Sequence, residues 1–296
     1  MFKLTSFIDI QKKYKVSLCC GYYFAGERLG KGFEVEKVPI ESQVKALLKS
    51  LQTLQDEVLS DNLNAMFVLL NDGCSVSLDE EVKDLFKIPY LYIELDHNHG
   101  VGQKENILQT LSSRFSEFFF RFDSDVQLRK PIIGPVLQHF GNHSGTGMAV
   151  LNAGFLGGFI CRKGGPEYVE ISHSAVGNGM AIPTSLFNEV GYADINLRYY
   201  EDVDMALRIK ASGRNLVMLR DAQGGHKSTG AHASSEMVDC SIDYLLCHYP
   251  NLRVCKASDK RPKLIFGYPK VGSRRLSPSF LSLMVMNRLC GSHHWG

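Results

Sequence analysis

Two short groups of acidic residues have a spacing that suits catalysis. The first is Asp123-Ser124-Asp125, which directly follows the apolar segment 117–122. Two carboxylates one residue apart in a turn can bind a single hard divalent cation, and such a cation can neutralise a diphosphate. A lone Asp-x-Asp is more often a solvated acidic turn, so this interpretation needs support from the rest of the chain.

The second group begins a predicted helix. Glu201, Asp202 and Asp204 lie in its first turn, where the helix dipole favours acids whether or not they react. The functional interpretation is a carboxylate that takes a proton from an acceptor hydroxyl. Farther along, His226 follows two glycines, which would let the backbone approach a ligand closely.

The elements that must position these residues alternate along the chain. Apolar segments typical of buried strands are 15–20, 64–70, 90–95, 117–122 and 215–219. Helical patterns cover 40–58, 103–115, 184–190 and 201–212. Strands that are apolar throughout and alternate with helices predict an α/β fold, with a mostly parallel central sheet flanked by helices. Ligands bind such sheets at the carboxyl ends of the strands, where Asp72 and Asp123 lie.

Composition limits the class of protein. The chain has 296 residues, 44% hydrophobic and 22% charged, which is ordinary for a soluble globular protein. No apolar run reaches the roughly 20 residues needed to cross a bilayer, and no secretory signal pattern begins the chain, so a cytoplasmic protein is expected. The eight cysteines are scattered without a Cys-x-x-Cys spacing, which predicts reduced, mostly buried thiols.

Charge is divided unevenly along the chain. Residues 251–296 carry a net charge of +8 and the rest carries −6. We therefore expect a catalytic domain over 1–235 and a basic C-terminal extension over 236–296. The extension either serves solubility or binds a polyanion. Nucleic acid and an anionic membrane are the two candidate polyanions. Its basic candidates are Lys260, Arg261, Lys263, Arg274 and Arg275, and its candidate membrane anchor is Phe280, Leu281, Leu283, Met284 and Met286.

Five motifs, taken in order, resemble family 2 glycosyltransferases of the GT-A fold, whose sheet is Rossmann-like. The resemblance extends over residues 15–230. The motifs are Asn71-Asp72-Gly73-Cys74-Ser75, the segment 98–106, Phe120-Arg121-Phe122-Asp123-Ser124-Asp125, the segment 177–192, and the segment 200–208.

The resemblance implies a role for each matching residue. Asp72 would recognise the nucleotide base, and Asp123 would hold the ribose or the metal. Asp125 and His226 would ligate the metal, Mn²⁺ or Mg²⁺, that binds the diphosphate of a nucleotide-sugar. Asp202, with Glu201 beside it, would be the general base of an inverting hexosyl- or pentosyltransferase.

This chain departs from the family pattern at two places in the nucleotide site. The family commonly has an arginine before the helix asparagine, Asn106, whereas this chain has Glu105, so Lys104 is expected to replace the arginine at the diphosphate. Gly21 stands where the first strand usually ends in Pro-x-Tyr, so the wall that faces the base is expected to differ.

Two other interpretations stay open from the residues alone. A nucleotidyltransferase would need a glycine-rich basic loop after the first strand, and 21–32 contains Arg28 and Lys31. A non-catalytic sugar- or nucleic-acid-binding module on the same fold is the other. The chain has Asp123, Asp125, Asp202 and His226 together, which favours an enzyme.

Overall fold

The computed structural model describes most of the chain. The described residues are 1–29, 35–124, 126–128, 131–152, 161–162, 164–165, 167–171, 179–226, 235–249, 252–256, 262–265 and 275–291. For some of these, including His226, the description is limited to the backbone.

The described residues form fifteen strands and eight α-helices. The strands are β1 (Phe2–Phe7), β2 (Tyr14–Tyr22), β3 (Glu27–Leu29), β4 (Val35–Lys37), β5 (Ala65–Asn71), β6 (Tyr90–Leu95), β7 (Ser116–Phe122), β8 (Val126–Leu128), β9 (Thr146–Asn152), β10 (Cys161–Arg162), β11 (Tyr168–Ile171), β12 (Gly179–Pro183), β13 (Asn215–His226), β14 (Arg253–Lys256) and β15 (Pro262–Ile265). The helices are α1 (Ile40–Ser60), α2 (Asp79–Leu85), α3 (Val101–Phe115), α4 (Ile133–Asn142), α5 (Phe187–Val190), α6 (Glu201–Ala211), α7 (Ser235–His248) and α8 (Phe280–Cys290).

Eleven strands form one sheet, and that sheet is mixed. Ten of them follow the order β1-β6-β5-β2-β7-β12-β9-β13-β11-β10, and β8 pairs with β13. The pairs among β6, β5, β2 and β7 are parallel, as predicted, because helical crossovers connect these strands. Beyond β7 the strands pair antiparallel except for β9 with β13, so the expectation of a mostly parallel sheet is wrong.

The long helix α1 covers one face of the sheet through a narrow apolar stripe. Leu47, Leu51 and Leu54 are each 0% exposed, and Val58 is 3% exposed. Burying each of these side chains contributes about 1.5–3 kcal/mol relative to leaving it in water. The stripe has the i, i+3, i+4 spacing from which this helix was predicted, and the prediction is confirmed.

The thiols divide into buried and exposed ones. Cys19, Cys20 and Cys74 are buried and free, as expected, and burial raises the pKa of Cys19 to about 12. Cys240 and Cys247 are also free but exposed on α7.

The helix α8 packs on α3 and on the first strand. Val285 is 0% exposed and Met286 2% exposed, and the Arg288 guanidinium donates to the Phe2 carbonyl at 3.0 Å. The buried face includes Met286, one residue of the expected membrane anchor, whereas Phe280 remains 79% exposed.

The helix α7 packs on α6. The side chain of Leu245 on α7 belongs to the same hydrophobic cluster as Val203 and Leu207 of α6. The domain boundary at residue 235 stays a prediction.

Within the described part of the chain, none of the helices combines the length and the apolar character that a membrane span requires. The cytoplasmic location stays a prediction.

Candidate active site

The candidate site lies where the parallel strands end. In register, Tyr22 at the end of β2 pairs with Asn71 at the end of β5, and Cys19 of β2 pairs with Arg121 near the end of β7. The turns that follow β5 and β7 therefore carry Asp72 and Asp123 to the same edge of the sheet. Asp72 and Asp123 thus occupy the place where ligands bind in sheets of this kind.

A buried arginine links this edge to the helices α3 and α6. The guanidinium of Arg121 lies 2.9 Å from Glu105 on α3, 2.5 Å from Asp123 and 3.6 Å from Glu201 on α6. Arg121 is 5% exposed and Glu105 is 0% exposed. We call Arg121 with Glu105, Asp123, Glu201 and the adjacent Asp202 the Arg121 cluster. It assembles residues that are far apart in sequence at one point.

The Arg121 cluster holds more negative than positive groups. Burial raises the pKa of Glu105 to about 7, although the charges of Arg121 and Lys104 oppose the rise. Burial, followed by the charge of Glu201, raises the pKa of Asp202 to about 8, and Arg121 again opposes it. Because one guanidinium faces four carboxyl groups, the cluster favours either bound protons or an additional cation.

Asp202 and Asp204 have different environments although they are two residues apart. Asp204 is 0% exposed, accepts hydrogen bonds from Arg208 at 2.9 Å and Tyr249 at 2.6 Å, and belongs to the interior. Asp202 accepts the Val203 amide at 2.8 Å and stays partly exposed. Tyr200 precedes the helix with φ of 63°, a left-handed conformation that turns the chain sharply into α6. Of the two, only Asp202 is available to a substrate.

Asp72 is fixed by the loop that precedes α3. It is 2% exposed, and its Oδ1 accepts the His99 amide at 2.9 Å. Burial raises its pKa, and the charge of Lys104 opposes the rise. Asp72 thus lies at the predicted sheet edge, and one of its carboxylate oxygens already accepts a hydrogen bond from the protein backbone.

Lys104 and Gly21 contact each other directly. The ammonium group of Lys104 donates to the Gly21 carbonyl at 3.4 Å, and its methylene chain crosses the Gly21 Cα. A Cβ at position 21 would lie 2.2 Å from the Lys104 Cδ. Glycine at 21 therefore makes room for Lys104, whose charge also acts on Asp72 and Glu105.

The predicted metal ligands are placed in part. Asp123 has a side chain 26% exposed, and its Oδ1 contacts Arg121. Asp125 lies outside the described residues. The backbone of His226 in β13 pairs with that of Val126 in β8, one residue after Asp125. The strand register thus places the backbone of His226 beside that of Val126. The carboxylate–imidazole donor set predicted from the sequence suits Mn²⁺ or Mg²⁺.

Asn106 was predicted to contact the nucleotide, but both the nitrogen and the oxygen of its side-chain amide are hydrogen-bonded to the protein. It is 1% exposed, donates to the Ala193 carbonyl at 2.7 Å and accepts from the Ser279 amide and the Ser282 hydroxyl, each at 2.8 Å. These bonds connect α3 to the segment before α8. The contacts are those of a residue that positions α3.

Sequence reasoning missed two residues of this region. Arg121 interrupts the aromatic strand EFFFRF, and a charge at an otherwise apolar strand position was the available signal. The Tyr249 hydroxyl donates to Asp204 and not to Asp202, which distinguishes the two acids. Tyr249 lies 45 residues from Asp204 in sequence, so no local sequence pattern indicated this contact.

The other predicted basic and glycine-rich segments are described only in part. Residues 30–34 lie outside the description, so the loop on which the nucleotidyltransferase interpretation rests is incomplete. Lys260, Arg261 and Arg274 also lie outside it, Lys263 is described by its backbone, and Arg275 is exposed.

No protein-family model matches the sequence, and no curated protein matches it significantly. Solved structures do match the fold. One is residues 1–349 of S. aureus TarS, at 14% identity and a TM-score of 0.51, and another is its complex with UDP-GlcNAc, at 15% identity and a TM-score of 0.55. The match covers 78% of this chain, 65% and 66% of those two fragments, and 40% of a longer TarS chain.

TarS is a GT-A glycosyltransferase of the family 2 type. The likeness is one of fold, a large central sheet flanked by helices. The α/β architecture predicted from the alternation of strands and helices is confirmed, with the sheet mixed, and so is the GT-A fold that the five motifs implied. This chain therefore has the GT-A glycosyltransferase fold.

Proposed function

We propose that the protein is a nucleotide-sugar-dependent glycosyltransferase that acts with a divalent metal and inverts the anomeric configuration. The observation that carries this proposal is that Asp72 and Asp123 follow β5 and β7 at one edge of the sheet, with Arg121 linking Asp123 to Glu201, the residue next to Asp202 on α6. A site of this kind can hold a nucleotide at one end and an acceptor hydroxyl at the other. Solved structures of TarS with UDP and with UDP-GlcNAc support a uridine diphosphate sugar as the first donor to test.

The donor side would be formed by the strand ends. Asp72, oriented by the His99 amide, would meet the edge of the base, and Lys104 would face the diphosphate. Asp123, Asp125 and His226 would hold the metal, which when bound neutralises the diphosphate and stabilises it as a leaving group. The excess of carboxyl groups around Arg121 fits a site that receives a cation.

The acceptor side would be formed by the start of α6. Asp202 would take the proton from the acceptor hydroxyl as the oxygen attacks the anomeric carbon from the face opposite the diphosphate. A pKa of about 8 makes Asp202 a stronger base than an ordinary carboxylate once it is ionised. Glu201, in contact with Arg121, would keep Asp202 basic through its own charge.

The acceptor would be a polyanion, as the charge division predicts. Residues 1–250 carry −6 and residues 251–296 carry +8, so the basic segment is the natural docking surface. Duplex DNA and anionic vesicles should be tested at two salt concentrations. Binding that falls steeply with salt, and is lost when Lys260, Arg261, Lys263, Arg274 and Arg275 are neutralised, would support the proposal. Failure of both polyanions at low salt would direct the search to neutral acceptors.

The transferase proposal is tested by donor turnover. The full chain should release nucleoside diphosphate from a nucleotide-sugar in the presence of Mn²⁺, and a chelator should abolish the release. Asp125→Ala should lose turnover while keeping the wild-type circular dichroism spectrum. Full turnover in chelator would contradict the metal requirement, and retention of anomeric configuration in the product would contradict inversion.

A further inference from the structure

A second cluster of metal-binding side chains lies in the loop between β6 and α3, outside the proposed metal site. The loop carries Asp96, His97 and His99, and we call these three residues the 96–99 cluster. Each offers a ligand atom, and the three atoms lie within 4.8 Å of one another. Among the described residues, this is the one group of three such side chains found close enough together to hold an ion.

The distances within the 96–99 cluster are those of a compact site. One carboxylate oxygen, Asp96 Oδ1, lies 2.9 Å from His97 Nδ1 and 3.4 Å from His99 Nε2. Ligand atoms around a tetrahedral Zn²⁺ are about 3.3 Å apart, since each lies about 2.0–2.1 Å from the ion. The other oxygen, Asp96 Oδ2, contacts the Met1 ammonium group, which leaves Oδ1 directed at the two imidazoles.

The backbone of the loop is already held in position. A Cβ at Gly73 would lie 2.1 Å from the His97 carbonyl carbon, so the turn after β5 packs directly on this loop. The His99 amide donates to Asp72, and the Gly100 amide donates to the Asn98 side chain at 2.8 Å. The two imidazole rings face each other with centroids 3.8 Å apart. Binding an ion would therefore need only small adjustments of exposed side chains.

We propose that the 96–99 cluster binds a transition-metal ion of the Zn²⁺ class through two imidazoles and one carboxylate. The ligand set is richer in nitrogen than the proposed donor-metal site, so it selects Zn²⁺, Co²⁺ or Ni²⁺ over Mg²⁺. His97 is the most exposed ligand, with 66% of its side chain accessible, so solvent completes the coordination. The ion would tether the loop that holds Asp72. Metal binding itself does not depend on the proposed transferase activity.

The test is a Co²⁺ and Zn²⁺ titration of tag-free full-length protein. His293 and His294 are changed to glutamine and Asp125 to alanine in every sample, because the adjacent histidine pair and the proposed donor-metal site can bind the same ions. We expect one equivalent of Co²⁺ to give visible absorption bands of a low-coordinate site, which Zn²⁺ displaces. His97→Gln and His99→Gln should each weaken binding by about tenfold or more. His248→Gln on α7, an exposed histidine outside the cluster, is the matched control.

The outcomes separate this proposal from the transferase proposal. The Asp125→Ala protein should bind Zn²⁺ at the 96–99 cluster although it lacks donor turnover. His97→Gln with Asp125 intact should keep Mn²⁺-dependent donor turnover at saturating donor. Unchanged melting curves without metal would show that the glutamine variants are folded. In the Asp125→Ala protein, absence of binding when the cluster is intact, or binding that survives the change of both His97 and His99, would overturn the proposal even if the protein is an active transferase.

Discussion

Two arginine–carboxylate clusters include residues of α6, and they differ in their balance of charge. Arg208 and Asp204 are both 0% exposed, and the 2.6 Å bond from Tyr249 further satisfies the carboxylate. Arg121 instead faces Glu105, Asp123, Glu201 and Asp202, with two of these carboxyl groups raised in pKa. A balanced buried pair holds the fold, whereas an excess of one charge marks a place prepared for another ion or for a proton.

The largest effect is expected from breaking the balanced pair of Arg208 and Asp204. Arg208→Met leaves Asp204 buried without its cationic partner, which should lower the free energy of unfolding by about 3–5 kcal/mol. Arg121→Met should cost less at pH 6 than at pH 8.5, because Glu105 and Asp202 bind protons at the lower pH. Urea unfolding of both variants at the two pH values measures this. An equal dependence on pH for the two variants would contradict the comparison.

The next effect concerns the rate. Asp202→Asn keeps the shape of the side chain but cannot accept a proton, so donor transfer should slow by about 100-fold or more. Asp204→Asn is the matched control: it should lower stability but leave the rate per folded molecule close to wild type. Transfer assays at saturating donor and acceptor, corrected for the folded fraction, distinguish the two. A normal rate for Asp202→Asn would move the base to Glu201.

The same substitution should improve stability at high pH. Asp202 has a folded-state pKa of about 8, above the ordinary aspartate value of 3.8, so the folded state retains a proton that the unfolded chain has lost. Wild-type stability from this group is therefore lost as the pH rises from about 4 to 8. Asp202→Asn should be more stable than wild type at pH 8.5 by about 1–2 kcal/mol, and equal to it near pH 4.5. Thermal unfolding at both pH values checks the sign.

The pH dependence of the reaction should follow the same group. A general base must be ionised, so kcat/KM should rise from pH 6, reach half its maximum near pH 8 and level about one pH unit above that. Saturating Mn²⁺ should move the rise to lower pH, because a nearby cation favours the ionised carboxylate. A profile that is flat from pH 6 to 9 at low metal would exclude a base with the environment of Asp202.

The smallest effect tests the contact between Gly21 and Lys104. Gly21→Ala places a Cβ 2.2 Å from the Lys104 chain, which must move, so stability should fall by about 1 kcal/mol and the KM for donor should rise. Gly141→Ala on α4, where the Cβ meets nothing within 4 Å, should instead stabilise the protein by about 0.5–1 kcal/mol. A donor KM unaffected by Gly21→Ala would remove Lys104 from the diphosphate site.

Much of the first half of the fold could be predicted because its pattern is local. The strands β2, β5, β6 and β7 and the helices α1 and α3 each bury a run or stripe that is visible in the sequence. The strands after β7 are short and pair mainly antiparallel with distant partners, so no local pattern revealed the mixed sheet. The site shows the same limit. The acidic residues at strand ends and at the start of a helix were visible in the sequence. Which of them stabilise the fold and which are available for catalysis depends on their contacts with Arg121 and Tyr249.

The contact between Arg288 of α8 and Phe2 of β1 has a consequence for how the chain folds during synthesis. The two residues are separated by 286 positions, and Ser279 and Ser282 meet Asn106 across more than 170. Contacts of such large sequence separation form late, because closing a long loop costs entropy before the contact is made. On the ribosome, α3 would remain uncovered on its α8 side until residue 290 has emerged. The helix that carries Lys104 and Glu105 would then reach its final packing only after α8 has been synthesised, which would delay the onset of activity.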